Sequence, residues 1–135
     1  DSFEGMPKPK DMLDGPDHGS FDSAKVSLKQ VKSNFEVFNL CNDQVIFIKG
    51  WFHESLPKAN IKKLSLLRLD GDLYSSTMDS LNNLYKKVSK EGFVIVDDYN
   101  DWPECKRAVE DFRDKHSITN EIKIIDWTGI YWRVE

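Results

Sequence analysis

Two apolar runs constrain this chain more than anything else in it: "LSLLRL" at residues 64–69 and "FVIV" at residues 93–96. Short runs rich in branched aliphatics read as buried strands of a helix-covered sheet. Leu66, Leu67 and Leu69 are therefore expected in the core. Each run is closed by acids, Asp70 and Asp72 after the first and Asp97 and Asp98 after the second. Between them Met78, Leu81, Leu84, Tyr85 and Val88 fall on one helical stripe, which predicts a helix over 76–88 stopped at Glu91-Gly92. Strand, helix, strand in that order is the unit of a parallel sheet.

The flanking segments extend the pattern. In "SLKQVKSNFEVFNL" Leu28, Val31, Phe35 and Phe38 recur at helical spacing, and Ser27 with Gln30 fits a capping box, so a helix over about 27–40 is expected. "QVIFIKGWF" predicts a strand at 44–49 ended by Gly50. In "DWPECKRAVEDFRDKHS", Asp101 and Glu104 have capping spacing, Pro103 sits in the first turn where proline is tolerated, and Cys105, Ala108, Val109 and Phe112 form the apolar stripe. The tail "IKIIDWTGIYWRV" reads as a β-hairpin around Thr128-Gly129. The whole is an α/β fold with a mostly parallel sheet and a C-terminal antiparallel hairpin, a single domain over 1–135. Residues 4–22, rich in proline and glycine, form a long loop.

Charge narrows the partners. With 19 basic against 23 acidic residues the net charge is −4, which leaves no basic footprint for nucleic acid or an anionic membrane. No apolar run approaches the roughly 18 residues of a membrane span, and no signal-peptide pattern is seen, which predicts a cytoplasmic protein. Cys41 and Cys105 are too far apart in sequence to suggest a metal-binding pair and are expected as free thiols.

In open α/β sheets, ligands bind beyond the carboxyl ends of the strands. Neighbouring parallel strands would gather Asp70, Asp72, Asp97 and Asp98 there, a cluster in which some members must protonate unless a cation neutralises them. Oxygen-only ligands suit Mg²⁺. The alternative is that Asp72 caps the helix beginning near 76 and Asp98 or Asp101 caps the next. "KGWF" at 49–52 offers a glycine that lets a ligand approach the backbone and aromatic rings that could stack on it, or simply a turn followed by core aromatics. His18, His53 and His116 show no metal-ligand spacing. His116 sits near a helix C-terminus and His18 in the loop that could close over the site.

With these residues placed, the chain resembles the macrocin O-methyltransferase family, S-adenosylmethionine-dependent enzymes that methylate sugar hydroxyls of natural products. The matching stretches are "DSFEGMPKP", "DQVIFIKGWFHESLP", "LLRLDGDLYSSTMDSLNNLYKKVSKEGFVIVDDY", "AVEDFR" and "IDWTGIYWR". The resemblance implies a class I methyltransferase-like (Rossmann-like) fold and a Mg²⁺ site made by Asp70, Asp97 and Asp98, with Asp70 also the base. It places Asp1 at the cofactor ribose and Gly50, Trp51 and Phe52 near the adenine, and makes 4–22 a lid. Mg²⁺ would bind and acidify the acceptor hydroxyl and hold it in line with the sulfonium methyl.

One departure stands out. No glycine-rich cofactor turn exists in these 135 residues, and in the family the first strands and that turn precede the position of Asp1. The chain is thus expected to be the C-terminal part of the fold, lacking the first strands, either within a longer protein or as a shortened relative that compensates by dimerising as a homo-oligomer or by rearranging. Weak binding of S-adenosylmethionine by this chain alone follows. The acceptor is expected to be a small hydroxylated molecule, a glycosylated natural product or saccharide. Two other readings remain open: a non-catalytic binding or assembly module on the same fold, and a Mg²⁺-dependent haloacid-dehalogenase-like phosphatase. The latter wants Thr or Val where Tyr74 stands.

Overall fold

The structure, a computed structural model, describes residues 1–17 and 25–135. These divide into two compact units, Asp1–Lys8 with Asp17–Ala59, and Pro9–Pro16 with Asn60–Glu135. Residues 18–22 of the expected lid, His18 among them, lie outside the described residues.

In the first unit, helix α1 spans Leu28–Val37. The Ser27 hydroxyl caps it, accepting the Gln30 N–H at 3.2 Å as the sequence predicts. Phe35 meets Phe47 edge-on at 5.5 Å. The expected strand at 44–49 does not form. A strand needs a neighbour along its length to satisfy its backbone. Among the described residues the segment pairs at one point, with Asp1, through Gly50 N–H to Asp1 O at 3.1 Å and Asp1 N to Ile48 O at 3.3 Å. The one-turn helix α2, Phe52–Ser55, follows directly.

The second unit is built on a four-stranded mixed sheet. Strand β1 (Leu64–Leu69) lies parallel to β2 (Val88–Val96), with helix α3 (Tyr74–Leu84) in the connection. Helix α4 (Pro103–Lys115) leads to the hairpin of β3 (Lys123–Ile124) and β4 (Ile130–Arg133), and β4 pairs antiparallel with β2. The strand order is β1-β2-β4-β3.

Two boundaries differ from the sequence pattern. Helix α3 stops at Leu84, and after one 3₁₀ turn Val88 already opens β2 instead of closing the helix. The reason is a break in the β1–β2 register between Leu64 and Leu66, where Glu91 takes a positive φ of 67°. Glu91 is held there by its N–H to Val134 O at 2.6 Å and by a 2.6 Å ion pair with Arg133. At α4, Pro103 occupies the first turn as expected, but the N-cap is Trp102 with no side-chain cap, so Asp101 does not serve.

One face of the sheet carries the core. Leu67, Leu69, Val94, Val96, Ile130 and Trp132 are buried on it, together with Leu81 and Leu84 of α3 and Cys105, Ala108, Val109 and Phe112 of α4. The predicted α4 stripe is buried at all four positions. Tyr85 links the layers, its ring 5.3 Å from Phe112 and 6.4 Å from Trp132. Residues of the opposite face are less covered: Leu66 is 48% exposed and Phe93 38%. The apolar runs suggested burial on both faces, but alternate residues of a strand point to opposite sides, and this side retains solvent at Leu66 and Phe93.

Candidate metal centre

Register delivers the acids. Leu69 and Val96 are partners at the ends of β1 and β2, and Asp97 N–H continues the ladder to Leu69 O at 3.0 Å. Both chains therefore leave the sheet side by side, carrying Asp70 and Asp72 on one and Asp97 and Asp98 on the other. Asp70, Asp72 and Asp98 each present a carboxylate oxygen within 4.8 Å of the others.

Asp72 reaches this point through an unusual backbone. It has φ of 54°, and Leu73 N–H closes a three-residue turn onto Gly71 O at 2.6 Å. A positive φ at a residue other than glycine is uncommon, and Asp is among the residues that tolerate it. Asp72 does not cap α3: the N-cap is Leu73, without a side-chain bond. That role falls to Asp14, whose fully buried carboxylate accepts Ser75 N–H at 2.6 Å with Oδ1 and Lys10 N–H at 2.7 Å with Oδ2. The segment 9–16 is thereby fixed to the start of α3, aided by a 3.1 Å ion pair of Lys10 with Asp79.

Asp98 feels the cluster most. Its pKa is pushed up to about 7, first by burial, then by the hydrogen bond it shares with Asp72 and by the charges of Asp72, Asp70 and Asp97. Its Oδ2 is buried without a hydrogen-bond partner. Asp97 faces elsewhere. Arg68, on the exposed face of β1, places Nη2 2.5 Å from Asp97 Oδ2 and Nη1 2.9 Å from Asp70 Oδ2.

The residues expected near a cofactor belong to the first unit. Asp1 and Gly50 are joined by the backbone bond described above, and the Asp1 carboxylate accepts Phe3 N–H at 2.5 Å. Gly50 has φ of 143°, a conformation open to glycine, and a Cβ there would lie 3.1 Å from Ser55 Cβ. Trp51 caps α2 and Phe52 begins it, both half-buried. Two surface hollows, about 440 Å³ along α1 and about 300 Å³ beside β4, include none of the four acids.

Sequence reasoning missed Arg68 and Asp14. Arg68 could have been noticed as the one charge inside an apolar strand. Asp14 gave no local signal, since its partner lies 61 positions away.

A mixed sheet with a parallel β–α–β unit and acids at the strand ends defines a Rossmann-like α/β protein. The family model for macrocin-O-methyltransferase (TylF) matches residues 1–134, and the chain belongs to that family. It is 45% identical over 138 residues to demethyldecarbamoylnovobiocin O-methyltransferase of Streptomyces niveus, a match covering 98% of this chain and 53% of that protein. Mycinamicin III 3''-O-methyltransferase of Micromonospora griseorubida is 42% identical, covering 98% and 55% respectively. The solved O-methyltransferase NovP superposes with a TM-score of 0.88 at 44% identity, over 99% of this chain and 57% of that one. The calicheamicin methyltransferase CalS11, at 20% identity and a TM-score of 0.76, shares the fold. The chain spans about half the length of the curated relatives it matches.

Proposed function

We propose that this chain is the metal-bearing, C-terminal part of an S-adenosylmethionine-dependent, Mg²⁺-assisted O-methyltransferase acting on a sugar or vicinal-diol hydroxyl. Family membership supports methyl transfer to oxygen, and the names of the relatives support a glycosylated acceptor. The observation that carries the metal is the convergence of Asp70, Asp72 and Asp98 at the strand ends. The buried, unpartnered Asp98 Oδ2 fits it: a carboxylate oxygen out of water needs a donor or a cation. An all-carboxylate set is the chemistry of a hard divalent ion.

Asp70, Asp97 and Asp98 are the proposed protein ligands, with Asp72 adding a fourth carboxylate beside them. Bound there, the ion would supply Lewis acidity toward the acceptor hydroxyl. Asp70 would accept the acceptor hydroxyl's proton, and bound S-adenosylmethionine would supply the methyl group that passes to that oxygen. Asp1, Gly50, Trp51 and Phe52 are the proposed contacts to the cofactor, Asp1 at the ribose and the others at the adenine. The glycine-rich turn is absent from this sequence, so the chain alone is expected to hold S-adenosylmethionine weakly.

Mn²⁺ titration followed by electron paramagnetic resonance tests the metal site. Binding by the wild type that is lost in Asp70→Asn and Asp98→Asn supports it. Equal affinity in all three proteins would remove it. For the cofactor, calorimetry showing micromolar affinity for S-adenosylmethionine would contradict the expectation of weak binding.

A further inference from the structure

Arg68 occupies a position that the proposed metal chemistry does not use. It is the fifth residue of β1, on the same face as the exposed Leu66, with its side chain about half exposed (49%). An apolar strand gains nothing from a cation there. The guanidinium nevertheless bridges two strand ends, with one nitrogen on Asp70, just after β1, and another on Asp97, just after β2. A planar fork with fixed N–H directions suits such a bridge better than an ammonium, a compact point charge that does not fix the geometry of either pair.

From this we infer that Arg68 is a resident counter-ion that competes with the divalent metal for Asp70 and Asp97, so that metal capture requires the guanidinium to release them. The inference rests on the metal reading above. Three carboxylates converge where β1 and β2 end, with Asp97 next to them, and Arg68 neutralises part of that charge by pairing with Asp70 and Asp97. A divalent ion bound by the same groups meets both the loss of two ligand oxygens to Arg68 and the repulsion of its positive charge. Because the pairs are solvent-exposed, the competition is modest, and the metal wins once it is present in excess. Arg68 is thus a positioning residue: it ties Asp97 to Asp70 without metal and sets how tightly metal is held.

The test compares the wild type with Arg68→Gln and Arg68→Lys by Mn²⁺ titration and by thermal unfolding with and without Mn²⁺. Arg68→Gln should bind Mn²⁺ roughly three- to tenfold more tightly, with Arg68→Lys between it and the wild type. Its metal-free midpoint should fall while its metal-induced rise in midpoint grows, opposite signs that a purely structural role would not produce. Unchanged or weakened Mn²⁺ affinity in Arg68→Gln, beside normal wild-type binding, overturns the competition and leaves the metal site standing. Arg68→Lys keeps the charge and so decides the matter should Arg68→Gln fail to fold: affinity at or below the wild-type level overturns the inference. Absence of Mn²⁺ binding in wild type and variants alike removes the metal site and this inference with it.

Discussion

The carboxylate of Asp14 caps a helix 61 residues further along the chain, taking the Ser75 N–H at the start of α3 while its second oxygen holds Lys10 N–H. A segment that reads as loose loop is thus part of the base on which the acids stand, because α3 begins two residues after Asp72. Removing this group strands two backbone donors. Asp14→Ala should cost about 1–3 kcal/mol in urea unfolding, whereas an undocked surface acid would cost less than about 0.5 kcal/mol. Asp14→Asn, which keeps an acceptor, should lose less than the alanine variant.

The two thiols should separate cleanly. Cys41 is exposed, while Cys105 is 2% exposed within the α4 stripe, its pKa pushed up to about 12 chiefly by burial. The thiolate is the reactive form. A disulfide reagent at pH 8 should therefore titrate one thiol in the folded protein and two in guanidinium. Cys41→Ser should abolish the fast reaction, and rapid labelling of two thiols in the native protein would contradict the packing of α4.

What was legible in the sequence is what local pattern controls. Cys105, Ala108, Val109 and Phe112 announce the buried face of α4 because helical spacing alone fixes it. Asp70, Asp97 and Asp98 could be placed at one sheet edge because they directly follow two runs that pair in parallel. Side-chain direction was not legible at that edge. The left-handed turn at Asp72 swings its carboxylate to Asp70 and Asp98, and Arg68 draws Asp97 aside, both outcomes of backbone and neighbours rather than of order along the chain. Nor could the segment at 44–49 reveal its fate, since a strand exists only through a partner strand, which the segment's own pattern does not name.

Asp98 makes the metal-free protein sensitive to pH. Its folded pKa of about 7 stands above the ordinary 3.8, so the folded state binds this proton more tightly than the unfolded state. The stabilisation from that proton is present below about pH 4 and is lost as pH rises to about 7. In EDTA, the contribution of this group therefore makes the chain less stable at pH 8 than at pH 5.5. Asp98→Asn should flatten the slope across that window, and Mg²⁺ should raise the urea midpoint more at pH 8, where the carboxylate is ionised, than at pH 5.5. A Mg²⁺ effect independent of pH, or equal in Asp98→Asn, would sever Asp98 from the metal.

Strand β1 is at the edge of its sheet, and its Leu66 is 48% exposed beside Phe93, its register partner on β2. An apolar edge strand offers unpaired backbone groups and side chains together, the combination that promotes association through sheet edges. Leu66→Thr introduces a β-branched residue that strands favour while removing apolar surface on the open face. It should reduce light scattering on mild heating and shift unfolding by no more than about 0.5 kcal/mol, because it deletes no core contact. The control is Leu67→Thr, one residue along but pointing into the core, where loss of buried apolar area should cost several times as much. If Leu66→Thr destabilised the chain as strongly as Leu67→Thr, the two-faced character of β1 would be wrong. An unchanged tendency to associate would show that the open face is not its cause.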